Sequence, residues 1–218
     1  MTEPIETPTV ESAETYWLEY WEANKARQRA VQGQDEASWR AGGRATKANP
    51  DKENGTWWNE KGSEFVQNWI NFRNGGNGWK LWVTPEGKPA VELALDIALN
   101  GVKIRMALDR LMVTPDGELV VVDIKTGARM PTADFQLGIY ACGIESVFGI
   151  RPKYGAYWDA RSGATTTLVD LDKWSLERVG GIVEMFDKAR NDGVFIPNFD
   201  HCKMCNFTDK CKYMNGEK

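Results

Sequence analysis

Residues 108–127, LDRLMVTPDGELVVVDIKTG, constrain this chain more than any other stretch. They read as a β-hairpin. Leu108, Leu111 and Val113 lead into Thr114-Pro115-Asp116-Gly117, a turn signal in which glycine supplies backbone freedom. The β-branched run Leu119-Val120-Val121-Val122 that follows suits a strand buried on both faces. Such a strand should stay apolar or stop, yet this one ends Asp123-Ile124-Lys125, with Asp109 on the partner strand. Side chains two apart on a strand share a face, so Asp123 and Lys125 point together while Ile124 points back into the core. A hairpin of this length brings Asp109 near Asp123. Two carboxylates beside an ammonium group suit Mg²⁺ or Mn²⁺, which activates water and neutralises charge growing on a phosphate. The lysine then orients or deprotonates that water, or stabilises the developing charge. An isolated D-x-K would more simply be a surface salt bridge; its place at the end of a buried strand favours a site.

The rest of the chain reads as one domain's worth of ordinary globular sequence, 42% hydrophobic and 27% charged over 218 residues. Its net charge of −4 argues against a bulk electrostatic grip on nucleic acid but leaves room for a local basic groove. Residues 1–11 are acidic, contain Pro4 and Pro8, and read as a disordered tail. Residues 12–61 read as a helix (11–31) followed by a connector in which Lys25, Arg27, Arg29, Arg40, Arg44, Lys47 and Lys52 are interleaved with Trp39, Trp57 and Trp58. Basic groups track phosphates and aromatic faces stack bases, so this region is either a strand-guiding surface or a solvated basic loop. A core of residues 62–195 opens with an amphipathic helix over 62–72, with Phe65, Trp69 and Phe72 as its stripe. Strands are expected over 79–83, 90–99, 102–113 and 119–124, as a twisted antiparallel meander. A helix over 132–147, strands over 154–158 and 165–169, and a helix over 171–191 complete it. That last helix should bury Trp174, Leu176, Val179, Ile182, Val183 and Phe186. No apolar run long enough to span a membrane occurs and the opening residues carry no signal sequence, which implies a cytoplasmic protein, in the host cytoplasm if phage-encoded.

Residues 196–218 carry a second constellation, Cys202-x-x-Cys205 followed by Cys211. Two thiolates on one tight loop with a third returning after a short turn suit a soft metal better than disulfides in a cytosolic chain.

Asp109, then Asp123-Ile124-Lys125-Thr126-Gly127, then Gln136-x-x-x-Tyr140 on the next helix, resembles the RecB-family branch of the PD-(D/E)XK nuclease superfamily. The nearest look-alikes are CRISPR-associated and phage RecB-like exonucleases and the nuclease domain of AddB. The resemblance covers roughly residues 62–211 and implies an α/β (α+β) restriction-endonuclease-like core: a mixed central sheet flanked by helices, plus a C-terminal Cys-rich metal-binding segment. It implies Asp109 and Asp123 as ligands of Mg²⁺ or Mn²⁺, the Ile124 carbonyl as a further ligand, and Lys125 as catalytic. It also implies that Gln136 and Tyr140, one helical turn apart, border the site and contact DNA. Glu92, on an upstream strand, is a substrate-side candidate, with Asp96 its competitor.

The chain departs from the family in two places. Where a metal-binding histidine is usual on the first core helix stand Val66 and Gln67, so Gln67 is the candidate amide ligand; the single histidine is His201. Ala107 replaces a common glycine two residues before the first aspartate. In the family's iron–sulfur members the C-terminal cysteines join an upstream fourth. Here that leaves an iron–sulfur cluster with Cys142 or another ligand, a zinc site completed by His201, or no metal. The expected function is a metal-dependent DNA exonuclease acting on single-stranded DNA or DNA ends in repair or recombination, with recombination or replication proteins as candidate partners. The alternative is a catalytically weak or inactive DNA-binding recombination accessory protein on the same fold.

Overall fold

The computed structural model describes residues 8–39 and 53–194, together with 198, 202, 205, 207–211 and 213. Thr9 starts α1 (Val10–Gln32) by accepting a hydrogen bond from the Ser12 N–H, which satisfies one of the orphan donors of the first turn. Asn54 does the same for α2 (Gly55–Asn74), accepting from the Trp57 N–H. That cap moves the start of α2 seven residues ahead of the expected 62, so Trp57 and Trp58 ride on a helix rather than in a connector. Trp39, read as part of either a strand-guiding surface or a solvated loop, is instead 1% exposed and donates its Nε1–H to the Gly33 carbonyl. Arg40, Arg44, Lys47 and Lys52 lie outside the described residues.

The strands are β1 (Lys80–Leu81), β2 (Val91–Leu99), β3 (Val102–Val113), β4 (Leu119–Lys125), β5 (Tyr154–Asp159), β6 (Ala164–Thr165) and β7 (Val169–Asp170). Between β4 and β5 lies α3 (Phe135–Phe148), and α4 (Leu176–Asn191) follows β7. Among the described residues all seven strands join one sheet: β1 and β2 both pair with the same long β3, β3 pairs antiparallel with β4, and β4 pairs parallel with β5. The meander is antiparallel through β4, and the crossover through α3 makes the sheet mixed. The expected 165–169 strand divides into β6 and β7, which pair with opposite ends of β5. Helix α4 begins five residues later than expected because Ser175 caps it.

Two apolar layers cover the sheet. On one face, Leu137, Ala141, Cys142 and Ile144 of α3 and Val179 of α4 pack against Leu95, Ile97, Met106, Leu108, Leu111 and Val121. On the other, Phe65, Trp69 and Phe72 of α2 pack against Met112, Val120, Val122, Ala156 and Trp158, so the predicted stripe is core. Helix α1 lies outside α2. This is a curled mixed sheet flanked by helices, as a restriction-endonuclease-like core requires. Phe186 is a correction: α4 touches the sheet over a narrower arc than expected, and Phe186 stands 69% exposed. Among the described residues no helix is long and apolar enough to cross a membrane.

Candidate active site

The β3–β4 ladder runs from Arg110↔Val122 to Val113↔Leu119, so the next rung sets Asp109 opposite Asp123. At that rung the backbone pairing stops and a side chain takes over: the Ile124 N–H donates to Asp109 Oδ2 at 2.8 Å. The strand β3 also slips in phase here. Met106 and Leu108 face the α3 layer, but farther along it is Leu111 that does so, while Met112 faces α2. Strict alternation from Leu108 would send Asp109 to the α2 side; the slip returns it to the face of Asp123. Across from it on β2, Glu92 adopts φ +47°, a left-handed backbone that non-glycine residues rarely hold without a local constraint.

Asp123 is 1% exposed. Its Oδ1 accepts from Gln136 Nε2 at 2.8 Å, and that same nitrogen lies 2.9 Å from the Tyr140 hydroxyl. Lys125 Nζ lies 2.5 Å from Asp123 Oδ2 as an ion pair and 3.3 Å from Gln136 Oε1. Asp123 Oδ2 is buried, with the Lys125 ammonium as its charge partner. Lys125 also sits 5.5 Å above the ring of Tyr157, whose hydroxyl donates to the Ala133 carbonyl. Ile124 packs in the α2 layer, so the strand's alternation holds at its working end.

Burial pushes the Asp123 carboxyl above the ordinary range; Lys125 opposes this, and the like charges of Asp109 and Glu92 add to it. Burial likewise raises the Tyr140 phenol and pushes Tyr157 up to about 12, with Asp123 and Asp134 as further causes. Both phenols therefore stay neutral hydrogen-bond donors at physiological pH.

The donor set fits a hard cation. Asp123 Oδ2 is a buried oxygen facing the Lys125 ammonium, and Asp109 commits only Oδ2 to the backbone, leaving Oδ1 without a hydrogen bond among the described residues.

The remaining candidates are placed as follows. Glu92 Oε1 lies 3.5 Å from Arg110 Nη1, and Arg110 also donates to the Asp109 carbonyl and stacks over Trp69. Asp96, its competitor, is exposed farther along the hairpin and bound by two bonds to Arg105. Gln67 turns away from the carboxylates: its amide nitrogen donates to Glu14 of α1 at 2.7 Å, and it makes no hydrogen bond with Asp109 or Asp123. Cys142 lies in the α3 core at 0% exposure, donating to the Trp174 carbonyl with Arg151 beside it. Burial raises its thiol, which disfavours the thiolate that metal binding needs. Cys202 and Cys205 share a tight turn through the Cys205 N–H and the Cys202 carbonyl, while His201 lies outside the described residues. Among the described residues, no three His, Cys, Asp or Glu side chains gather as a metal cluster.

Sequence reasoning missed Tyr157, Arg110 and Arg161. Arg161 donates to the Thr126 carbonyl just past Lys125 and pairs with buried Glu53, tying the start of α2 to the site. Only the register of β5 on β4, which sets Tyr157 beside Asp123, announces Tyr157, and register across a crossover cannot be read from one strand.

Residues 7–212 match the family model described as the PD-(D/E)XK nuclease superfamily. The chain is similar to the Gene 69 protein of Mycobacterium phage D29, 36% identical over 157 residues covering 69% of this chain and 57% of that protein. It is 31% identical to the Gene 69 protein of Mycobacterium phage L5 over 176 residues, covering 69% of this chain and 60% of that protein. The chain thus spans less than two thirds of the length of these curated relatives. A crystal structure from Eubacterium rectale, described provisionally as an exonuclease, aligns with 99% of this chain and 76% of its own at 14% identity and a TM-score of 0.40.

Proposed function

This chain belongs to the PD-(D/E)XK nuclease superfamily, and from that premise we propose that it is a Mg²⁺- or Mn²⁺-dependent deoxyribonuclease, exonucleolytic and acting on single-stranded DNA or DNA ends in repair or recombination. The observation that carries this reading is the buried Asp123 carboxylate, set beside Asp109 and Lys125 at the end of a buried strand.

Asp109, Asp123 and the Ile124 carbonyl are the proposed ligands. When bound there, a divalent cation supplies a more acidic water and neutralises charge on the scissile phosphate. Lys125, beside Asp123, would hold its ammonium toward the attacking water or the developing phosphate charge. Gln136 fixes the Asp123 carboxylate through Oδ1 and the lysine through Oε1, so one amide sets both groups in register. The neutral Tyr140 hydroxyl donates to the DNA backbone. Glu92, held by Arg110 at the rim, is a substrate-side group. Gln67, whose amide nitrogen donates to Glu14, keeps only its amide oxygen for a supporting role toward the cation. The C-terminal thiols Cys202, Cys205 and Cys211 are proposed as soft-metal ligands, of an iron–sulfur cluster or zinc. Visible absorbance and elemental analysis of the purified protein separate those two, and the absence of both signals removes the proposal.

A second reading, a DNA-binding accessory protein of weak turnover, is favoured by one observation: no imidazole stands on α2. End-labelled single-stranded DNA with Mn²⁺ separates the two. The nuclease reading predicts that wild type shortens the strand while Lys125→Ala binds it and leaves it intact. Binding by both proteins with cleavage by neither passes the case to the accessory reading. Equal cleavage by both contradicts the site.

A further inference from the structure

A second site stands apart from the carboxylates, between α1 and the start of α2. A cleft of about 310 Å³ is lined there by Trp17, Tyr20, Trp21, Trp58, Asn24 and Gln28, among others. That volume lies at the low end of small-molecule sites, which run roughly 300–1,000 Å³. Its chemistry is specific. Trp17 and Trp21 are stacked, with centroids 5.6 Å apart and planes inclined by 9°, so they present flat apolar faces. Asn24 and Gln28, one helical turn apart, add amides to the wall. Asn24 spends its nitrogen on the Tyr20 carbonyl and Gln28 spends its oxygen on Gln32. Asn24 Oδ1 and Gln28 Nε2 therefore remain as one acceptor and one donor without a partner among the described residues. Arg27, three positions past Asn24 and seven past Tyr20, shares their face of the helix, is exposed, and has no ion pair among the described residues.

Aromatic faces, an amide donor and acceptor, and a flanking guanidinium are what a base attached to a phosphodiester backbone requires. A duplex hides its base faces and edges, so the occupant is an unpaired base. The cleft also lies at the end of the sheet where the carboxylates stand. Arg161 donates to the Thr126 carbonyl, sits 5.2 Å over Trp57, and Trp57 meets Trp58 edge-on at 5.1 Å. We propose that this cleft is an anchoring subsite for one unpaired nucleobase of a single-stranded DNA. The proposal rests on the nuclease reading for its choice of DNA, and it narrows that reading to a single-stranded substrate.

The test is fluorescence anisotropy in chelator on the whole chain, with an oligothymidylate of about fifteen nucleotides, within the site sizes typical of single-strand binders. An oligomer of equal length with abasic sugars and a matched duplex serve as controls. Tyr20→Ala and Gln28→Ala are the variants, because both side chains line the cleft at the surface of α1 rather than in the core. The expected result is that wild type prefers the thymidylate to the abasic strand by about five- to a hundredfold, the range of one stacked base. Tyr20→Ala should lose most of that preference and Gln28→Ala part of it, with melting temperatures and duplex binding unchanged. Equal affinity of wild type for the two single strands overturns the proposal, as does undiminished preference in both variants. A variant with a lowered melting temperature is replaced by Asn24→Ala, read by the same criterion. Failure of the nuclease reading shows separately, as intact DNA when Mn²⁺ is added to the wild-type sample.

Discussion

Asp123 carries two opposed demands. Burial and its acidic neighbours hold its carboxyl above the ordinary 3.8, so the folded chain binds that proton more readily than the unfolded chain does. The sign follows: its ionisation disfavours folding increasingly as pH rises through the unfolded value, with the full cost present above the folded one. Without divalent ion, Asp123→Asn should therefore melt higher than wild type at about pH 8 and converge with it below the ordinary carboxylate value. A lower melting temperature for Asp123→Asn at the alkaline end would contradict this. The D-x-K at the end of a β-branched run was legible because strand alternation alone sets two groups on one face. The role of Gln136 as a clamp on both groups was not, since it depends on how α3 lands on the sheet. The contact of Gln67 was hidden for a similar reason: the sequence shows which turn of the helix it occupies but not that its amide nitrogen donates to Glu14 of another helix.

The elements meet through glycines, and these set a sharper scale of prediction. A Cβ at Gly62 would stand 2.0 Å from Trp17 Cζ2, so α1 sits on α2 only while that position is bare. Gly62→Ala should destabilise by about 1–3 kcal/mol, the usual cost of overpacking, lowering the melting temperature by about 2–4 °C per kcal/mol in a chain of this size. Gly181 is the contrast, since a Cβ on that helical residue meets nothing within 4 Å. Gly181→Ala should be neutral or stabilising by up to about 1 kcal/mol through helix propensity. Calorimetric melting of the pair checks both signs. Among the described residues periodicity announced the four α-helices and the long strands, because a 3.6-residue or two-residue repeat is a local property. It missed the phase slip in β3, the shared edge of β1 and β2, and the split of the 165–169 strand. Those come from curling a sheet between two helical layers, and no single window of sequence records that.

The whole molecule sets a mixed sheet between α3 and α4 on one side and α2 and α1 on the other, with Asp109, Asp123 and Lys125 at one sheet end. Removing Leu111, buried at 0% where the α3 layer meets the phase slip, tests how far that end depends on the core. Leu111→Ala should cost about 2–5 kcal/mol, and its rate should fall further than its DNA affinity because Asp109 lies two residues away. Cleavage rate and affinity, measured below the melting temperature, check that split. Composition alone left the partner open, since a net charge of −4 hides the exposed cation beside the cleft on α1.

Asp109 and Asp123 are proposed to form one cation site, and calorimetric titration of Mn²⁺ into the purified chain tests that without any substrate. One shared site predicts saturable binding by wild type, with a matching rise in melting temperature of the kind mass action requires, and loss of both in Asp109→Asn and Asp123→Asn. Equal Mn²⁺ binding by wild type and both variants would contradict it.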